Sequence, residues 1–167
     1  MVAACQLPAQ VGAWSLAVIG LFNIAGSFTM GWAIGFQHGR WRMKSLLSLV
    51  YAARALAVLV FLFAPKTTAT LLVFAAAIGF TYLSTVPPTA GLVAKFYGTA
   101  NMATIFGVVM LAYQLGGFLG AYLGGKALEW TGSYDWMWVA DIVLAVGAAL
   151  VHLPIREARN APLAQAV

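Results

Sequence analysis

Charge is what this chain has least of. Only 8% of its 167 residues are Asp, Glu, Lys or Arg, against roughly 25% in soluble domains, while 63% are hydrophobic. A soluble fold of this size has too little polar surface to cover so much apolar side chain. Water is thereby excluded as the solvent of most of the chain, and a lipid bilayer takes its place. Cysteine is almost missing too. Cys5 stands alone, which excludes an internal disulfide framework and a cysteine metal site. It reads either as a small apolar filler or as a reactive thiol. The two histidines, His38 and His152, lie at the ends of apolar runs. A membrane hydrolase needs a nucleophile or paired acids with a histidine base, or metal ligands at helical spacing. No acid lies near His38, and Glu157, beside His152, falls in the tail. An enzyme is not expected, and no cofactor or metal is called for. The first ten residues carry no Lys or Arg and show no secretory signal.

What is present is a series of long apolar windows. About 20 apolar residues at 1.5 Å each cross the hydrocarbon core, and five windows suffice: about 11–35, 45–64, 68–94, 102–127 and 134–153. The first holds no charge; the second is interrupted by Arg54 and the last by Asp141. Backbone groups in lipid must bond within their own segment, so helices are expected. Barrel strands would alternate apolar and polar residues, and these windows do not. The predicted fold is an all-α membrane bundle over 11–155, with a short outer segment at 1–10 and a tail at 156–167.

The basic residues orient it. With sides alternating from the first span, Arg40, Arg42, Lys44, Lys95, Arg156 and Arg159 share one side, and only Lys66 and Lys126 lie near the other. This positive-inside bias predicts a cytoplasmic C-terminus in the cell (inner or plasma) membrane. Trp14, Trp130, Trp136 and Trp138 fall at the outer ends, and Trp32 and Trp41 at the inner boundary. The formal charge of +5 is thus a topology signal and calls for no nucleic acid.

Three stretches resemble the C-terminal half of a major facilitator superfamily transporter. Gly26-Ser27-Phe28-Thr29-Met30-Gly31-Trp32 leads into a short basic loop similar to the family's signature loop. Gln114-Leu115-Gly116-Gly117-Phe118-Leu119-Gly120, then Gly124-Gly125, resembles a glycine-rich facilitator helix. Glu129-Trp130-Thr131-Gly132-Ser133-Tyr134 resembles the loop before the family's last span. Together they read as helices 8–12, closest in flavour to the monocarboxylate and oxalate/formate branch. Where the family loop places an acid and an arginine, this chain has Gly35 and Phe36. Where monocarboxylate-type members carry an acid and an arginine, the first span offers Asn23 and Ser27.

The resemblance implies secondary active transport of a small solute, such as an organic anion. Because each facilitator half has six helices in two inverted triplets, it also implies one further helix, whose stub would be residues 1–10. The expected partners are the bilayer, a small-molecule substrate and an N-terminal six-helix half, in the same gene or a separate chain. The alternative is a truncated, non-transporting remnant, or an assembly partner for a separate N-terminal half.

The candidate site follows from polar residues at membrane depth. An intramembrane ionisable group normally faces a partner or a watery cavity. Arg54 therefore either binds an anionic substrate or couples to a proton, or it forms a structural pair with Asp141. Asp141 likewise is a proton-coupling group, a partner for Arg54, or a side chain reaching outer water. The resemblance makes the second and last spans peripheral and the third cavity-lining. Thr81, Ser84 and Thr85, beside Pro87 and Pro88, are accordingly preferred substrate contacts, or else they back-bond to their own helix. Asn23 and Gln114 are further candidate contacts, with Tyr113 beside Gln114. Ser27, Gly31 and Gly35, and Gly116, Gly120 and Gly124, form four-residue stripes expected to pack helices closely.

Overall fold

The computed structural model describes residues 9–36 and 42–157. Cys5, His38, Arg40, Trp41 and Arg159 lie outside them, as do most of the expected outer segment and the tail beyond Glu157. The described chain is all helical: α1 (Ala9–Phe36), α2 (Met43–Phe63), α3 (Thr68–Leu83), α4 (Val86–Tyr97), α5 (Met102–Thr131) and α6 (Asp135–His152). Among the described residues five spans are long and apolar enough to cross a membrane, because α3 and α4 together form one, Thr68–Tyr97. The 28 residues of α1 rise about 42 Å at 1.5 Å each, and even the 18 of α6 rise about 27 Å, near the thickness of the hydrocarbon core.

The third span is broken rather than merely bent. Pro87 and Pro88 have no N–H, so the carbonyls of Leu83 and Ser84 lose their helical donors. The helix stops at Leu83, turns through Ser84 and Thr85, and restarts at Val86. The ladder resumes where the Thr89 N–H donates to the Thr85 carbonyl at 3.2 Å. Asn23 of α1 braces the break: its Oδ1 accepts the Leu83 N–H at 3.3 Å.

Helix ends follow local chemistry. Thr67 caps α3, its side chain accepting the Thr70 N–H at 3.2 Å. Gly98 and Gly132 take φ of 75° and 69° and return N–H groups to Ala94 and Leu128, which closes α4 and α5. The fifth helix thus runs to Thr131, beyond the expected 127. The Lys126–Glu129 ion pair at 2.7 Å holds its last turn helical, and only Gly132 supplies the left-handed residue that ends it.

Packing is uneven. α1 lies chiefly along α3, and α2 along α6. At one end of the bundle Val11, Phe61 and Leu71 are buried with Phe74 and Trp138 packed on them; the Phe61 and Phe74 rings stack at 4.1 Å. Lys66 sits over Phe61 at 4.1 Å. At the other end Glu157, its side chain only 4% exposed, accepts the Lys44 and Met43 backbone N–H groups at 2.5 and 3.3 Å. It also lies 3.6 Å from Lys95. A carboxylate at a helix N-terminus satisfies orphan donors and complements the dipole, so Glu157 ties α2 to the end of α4. α5 stands apart, with Ala127 its one buried residue.

Candidate functional site

Arg54 lies near the middle of α2, and Asp141 lies two turns into α6. Their apolar helices pack side by side and bring the charges together, with Arg54 Nη2 at 3.2 Å from Asp141 Oδ1. The pair is not sealed: the side chains are 27% and 31% exposed, and both line two cavities that meet at them. One cavity, of about 540 Å³, reaches toward Tyr134, Met137 and Trp138. The other, of about 460 Å³, runs between α2, α3, α5 and α6. Volumes of this order suit small-molecule ligands. In the described chain the second span lines both cavities through Arg54. The reason is the shallow packing of α5, which leaves the inner faces of α2 and α6 open.

Three tyrosines surround Arg54 on the side of the smaller cavity. Tyr51 is one turn away on α2 and stacks on His152 of α6 at 5.3 Å. The Arg54 guanidinium sits 5.9 Å from the Tyr82 ring centre, within cation–π range. Tyr82 meets Tyr113 of α5 edge-on at 5.8 Å. The Tyr113 hydroxyl is buried, with Tyr82 as its hydrogen-bonding neighbour. His152 Nδ1 lies 2.6 Å from the Ala148 carbonyl, which fixes the ring against Tyr51.

The other expected contacts lie elsewhere. Thr81, Ser84 and Thr85 are buried and back-bond to their own helix. Thr81 donates to Ala77 at 2.9 Å, Ser84 to Phe80 and Thr85 to Tyr82 at 3.2 Å. None lines a cavity described above; Ser84 faces Gly26 of α1. Asn23 serves the backbone at the helix break, and Gln114 is exposed on α5. The helix rotation that turns Ser84 toward α1 turns Tyr82 toward Arg54.

The glycines divide in an unexpected way. A Cβ on Gly79 would stand 2.6 Å from the Ile19 carbonyl oxygen, and one on Gly26 would meet the Phe80 carbonyl. These two let α1 and α3 touch backbone to backbone. Gly31, Gly35, Gly116 and Gly120 have nothing among the described residues within 4 Å of a built Cβ, and Gly124 meets only Met137, at 3.6 Å. Ser27 is half-buried on α1. Gly116, Gly117 and Gly120 line the smaller cavity rather than a helix contact.

Sequence reasoning passed over Tyr51, Tyr82 and Glu157. A signal for Tyr51 was there: it lies one turn before Arg54 and shares its face. Glu157 gave none, because a carboxylate beyond the last apolar residue reads as tail.

The chain is 30% identical over 144 residues to monocarboxylate transporter 13 of Rattus norvegicus, a match covering 85% of this chain and 33% of the relative. The chain thus spans about a third of the length of the curated relative it matches. No family model matches, and no solved structure does. Fold and comparison agree on an all-helical, multi-pass membrane protein similar in sequence to a solute transporter.

Proposed function

We propose that the chain is the C-terminal part of a major facilitator transporter of the monocarboxylate type, moving a small organic anion across the cell membrane by secondary active transport. In this reading its C-terminus is cytoplasmic, and an N-terminal six-helix half completes the pathway. The observation that carries the proposal is the Arg54–Asp141 pair, held at membrane depth yet open to two cavities. Charges in the bilayer interior are expensive and mark substrate or proton pathways. The sequence similarity to a monocarboxylate transporter points to the same class of solute.

The geometry gives a simple exchange. Arg54 holds Asp141 through one nitrogen, although a guanidinium has five N–H donors and suits carboxylates bidentately. An incoming carboxylate takes over the guanidinium. Asp141, released from its partner and facing both cavities, takes the proton-coupling role in this scheme. One anion and one proton then move together, and the return of the empty site re-forms the pair. Asn23, Thr81, Ser84, Thr85 and Gln114 have no first role in this scheme, and no residue is assigned a catalytic one.

Uptake of radiolabelled acetate by cells expressing the native gene product tests this reading. Arg54→Ala should reduce uptake to background while the protein remains in the membrane. Wild-type uptake by that variant would overturn it.

A further inference from the structure

We infer that a groove between α2 and α3 holds one acyl chain of an anionic phospholipid, with the lipid phosphate at Lys66. The groove has a volume of about 310 Å³. Of its lining residues only Phe74 also borders a cavity at Arg54. Its depth comes from short side chains: Ala53 and Ala57 on α2 stand across from Ala77 on α3, and the space between the helices stays unfilled. Leu56, Val60 and Val73 form an exposed rim. The stacked rings of Phe61 and Phe74 close the end nearest the α2–α3 loop. Thr70 is the one polar lining residue, and its hydroxyl already lies 2.9 Å from that of Thr67. Such a surface suits hydrocarbon and offers little to a polar solute.

Length and charge choose the occupant. From Ala53 to Phe61, at 1.5 Å per residue, the groove runs about 12 Å, within the roughly 15 Å of hydrocarbon in one leaflet. A spanning helix would need a groove about twice as long, whereas an acyl chain descending from one surface fits this one. At the loop end stands Lys66, whose ammonium donates to the Phe61 and Leu62 carbonyls and lies 4.1 Å over the Phe61 ring. These contacts fix the charge in place without neutralising it, and Lys66 forms no ion pair among the described residues. A basic side chain fixed at headgroup depth attracts anionic lipid. Its place at the head of the groove puts the phosphate above the chain that fills it.

The test uses the native gene product in phosphatidylcholine vesicles, with a trace of phosphatidylglycerol carrying a photoreactive group midway along one chain. Illumination should attach the label chiefly to residues 53–60 and 73–77. Phosphatidylcholine bearing the same group should label them about fivefold less, the scale of one lysine at a membrane surface. Lys66→Gln, which keeps a donor for the α2 carbonyls, should remove that preference. Ala57→Phe, which fills the groove, should lower labelling there about tenfold. Leu59→Phe, at an exposed position of α2 outside the groove, should leave it as it is. Label spread evenly over all five spans, equal labelling by the two lipids, a preference that survives Lys66→Gln, or unchanged labelling in Ala57→Phe overturns the site. So does a groove that takes no lipid label at all, the result expected if another helix fills it.

Discussion

The helix pair α1–α3 and the lone helix α5 are both rich in glycine, yet use it in opposite ways. Between α1 and α3, Gly26 and Gly79 stand where any side chain would strike a neighbouring backbone, and the helices press together over most of their length. Along α5, glycines 116, 117, 120 and 125 meet open space, and Ala127 is the helix's one buried residue. In the first region glycine removes an obstacle to packing, which in lipid is driven by close van der Waals contact. In the second it leaves a surface bare. The small-residue spacing was most conspicuous on α5, where no described helix approaches it closely. A glycine's role is set by what lies opposite, and that is a long-range fact.

This contrast can be broken or sharpened by substitution. The largest effect is expected at Gly79. Valine there would place its Cβ 2.8 Å from the Ile19 Cα, an overlap costing on the order of 3 kcal/mol. Thermal unfolding in detergent should show a markedly lowered midpoint, or folded protein should fail to accumulate; an unchanged midpoint would mean that α1 and α3 are not so close. Next comes Glu157→Gln, which keeps an oxygen for the α2 N-terminus but removes the charge facing Lys95. It should cost about 1–2 kcal/mol in the same measurement, and Lys95→Met should then add little, since the partner is gone. The smallest effect, and of opposite sign, is expected at Gly125. Alanine there meets nothing and favours the helix by up to about 1 kcal/mol, so the midpoint should hold or rise. A large loss at Gly125 would show that a further helix, outside the described chain, packs on α5.

Much of the fold was legible because lipid imposes a simple grammar. The scarcity of charge exposed five spans, and the same scarcity made Arg54 and Asp141 conspicuous as the charges deepest inside them. Their mutual pairing was one of two open readings, and the structure puts the atoms within 3.2 Å. What could not be read was rotation about each helix axis. Thr81, Ser84 and Thr85 lie within one turn or so of Tyr82, and sequence alone does not say which face meets α1. Apolar patterning, the usual guide, is weak in a helix that is hydrophobic all round. The break at Ser84 and Thr85 followed from two prolines; which helix would brace it with Asn23 did not. Glu157 was hidden for another reason: its partners are the start of α2 and the end of α4, far away in the chain.

The account's central claim is that Arg54 serves a substrate anion and not merely Asp141. Neutralising both partners at once separates the two roles. In Arg54→Gln/Asp141→Asn no charge is left unpaired, so a purely structural pair is replaced without loss of uptake. The measurement is radiolabelled acetate uptake by this double variant of the native gene product, at matched protein levels in the membrane. The account predicts uptake at background, because the guanidinium that receives the carboxylate is gone. Uptake close to that of the unaltered protein would contradict it and leave Arg54 and Asp141 as a structural pair alone.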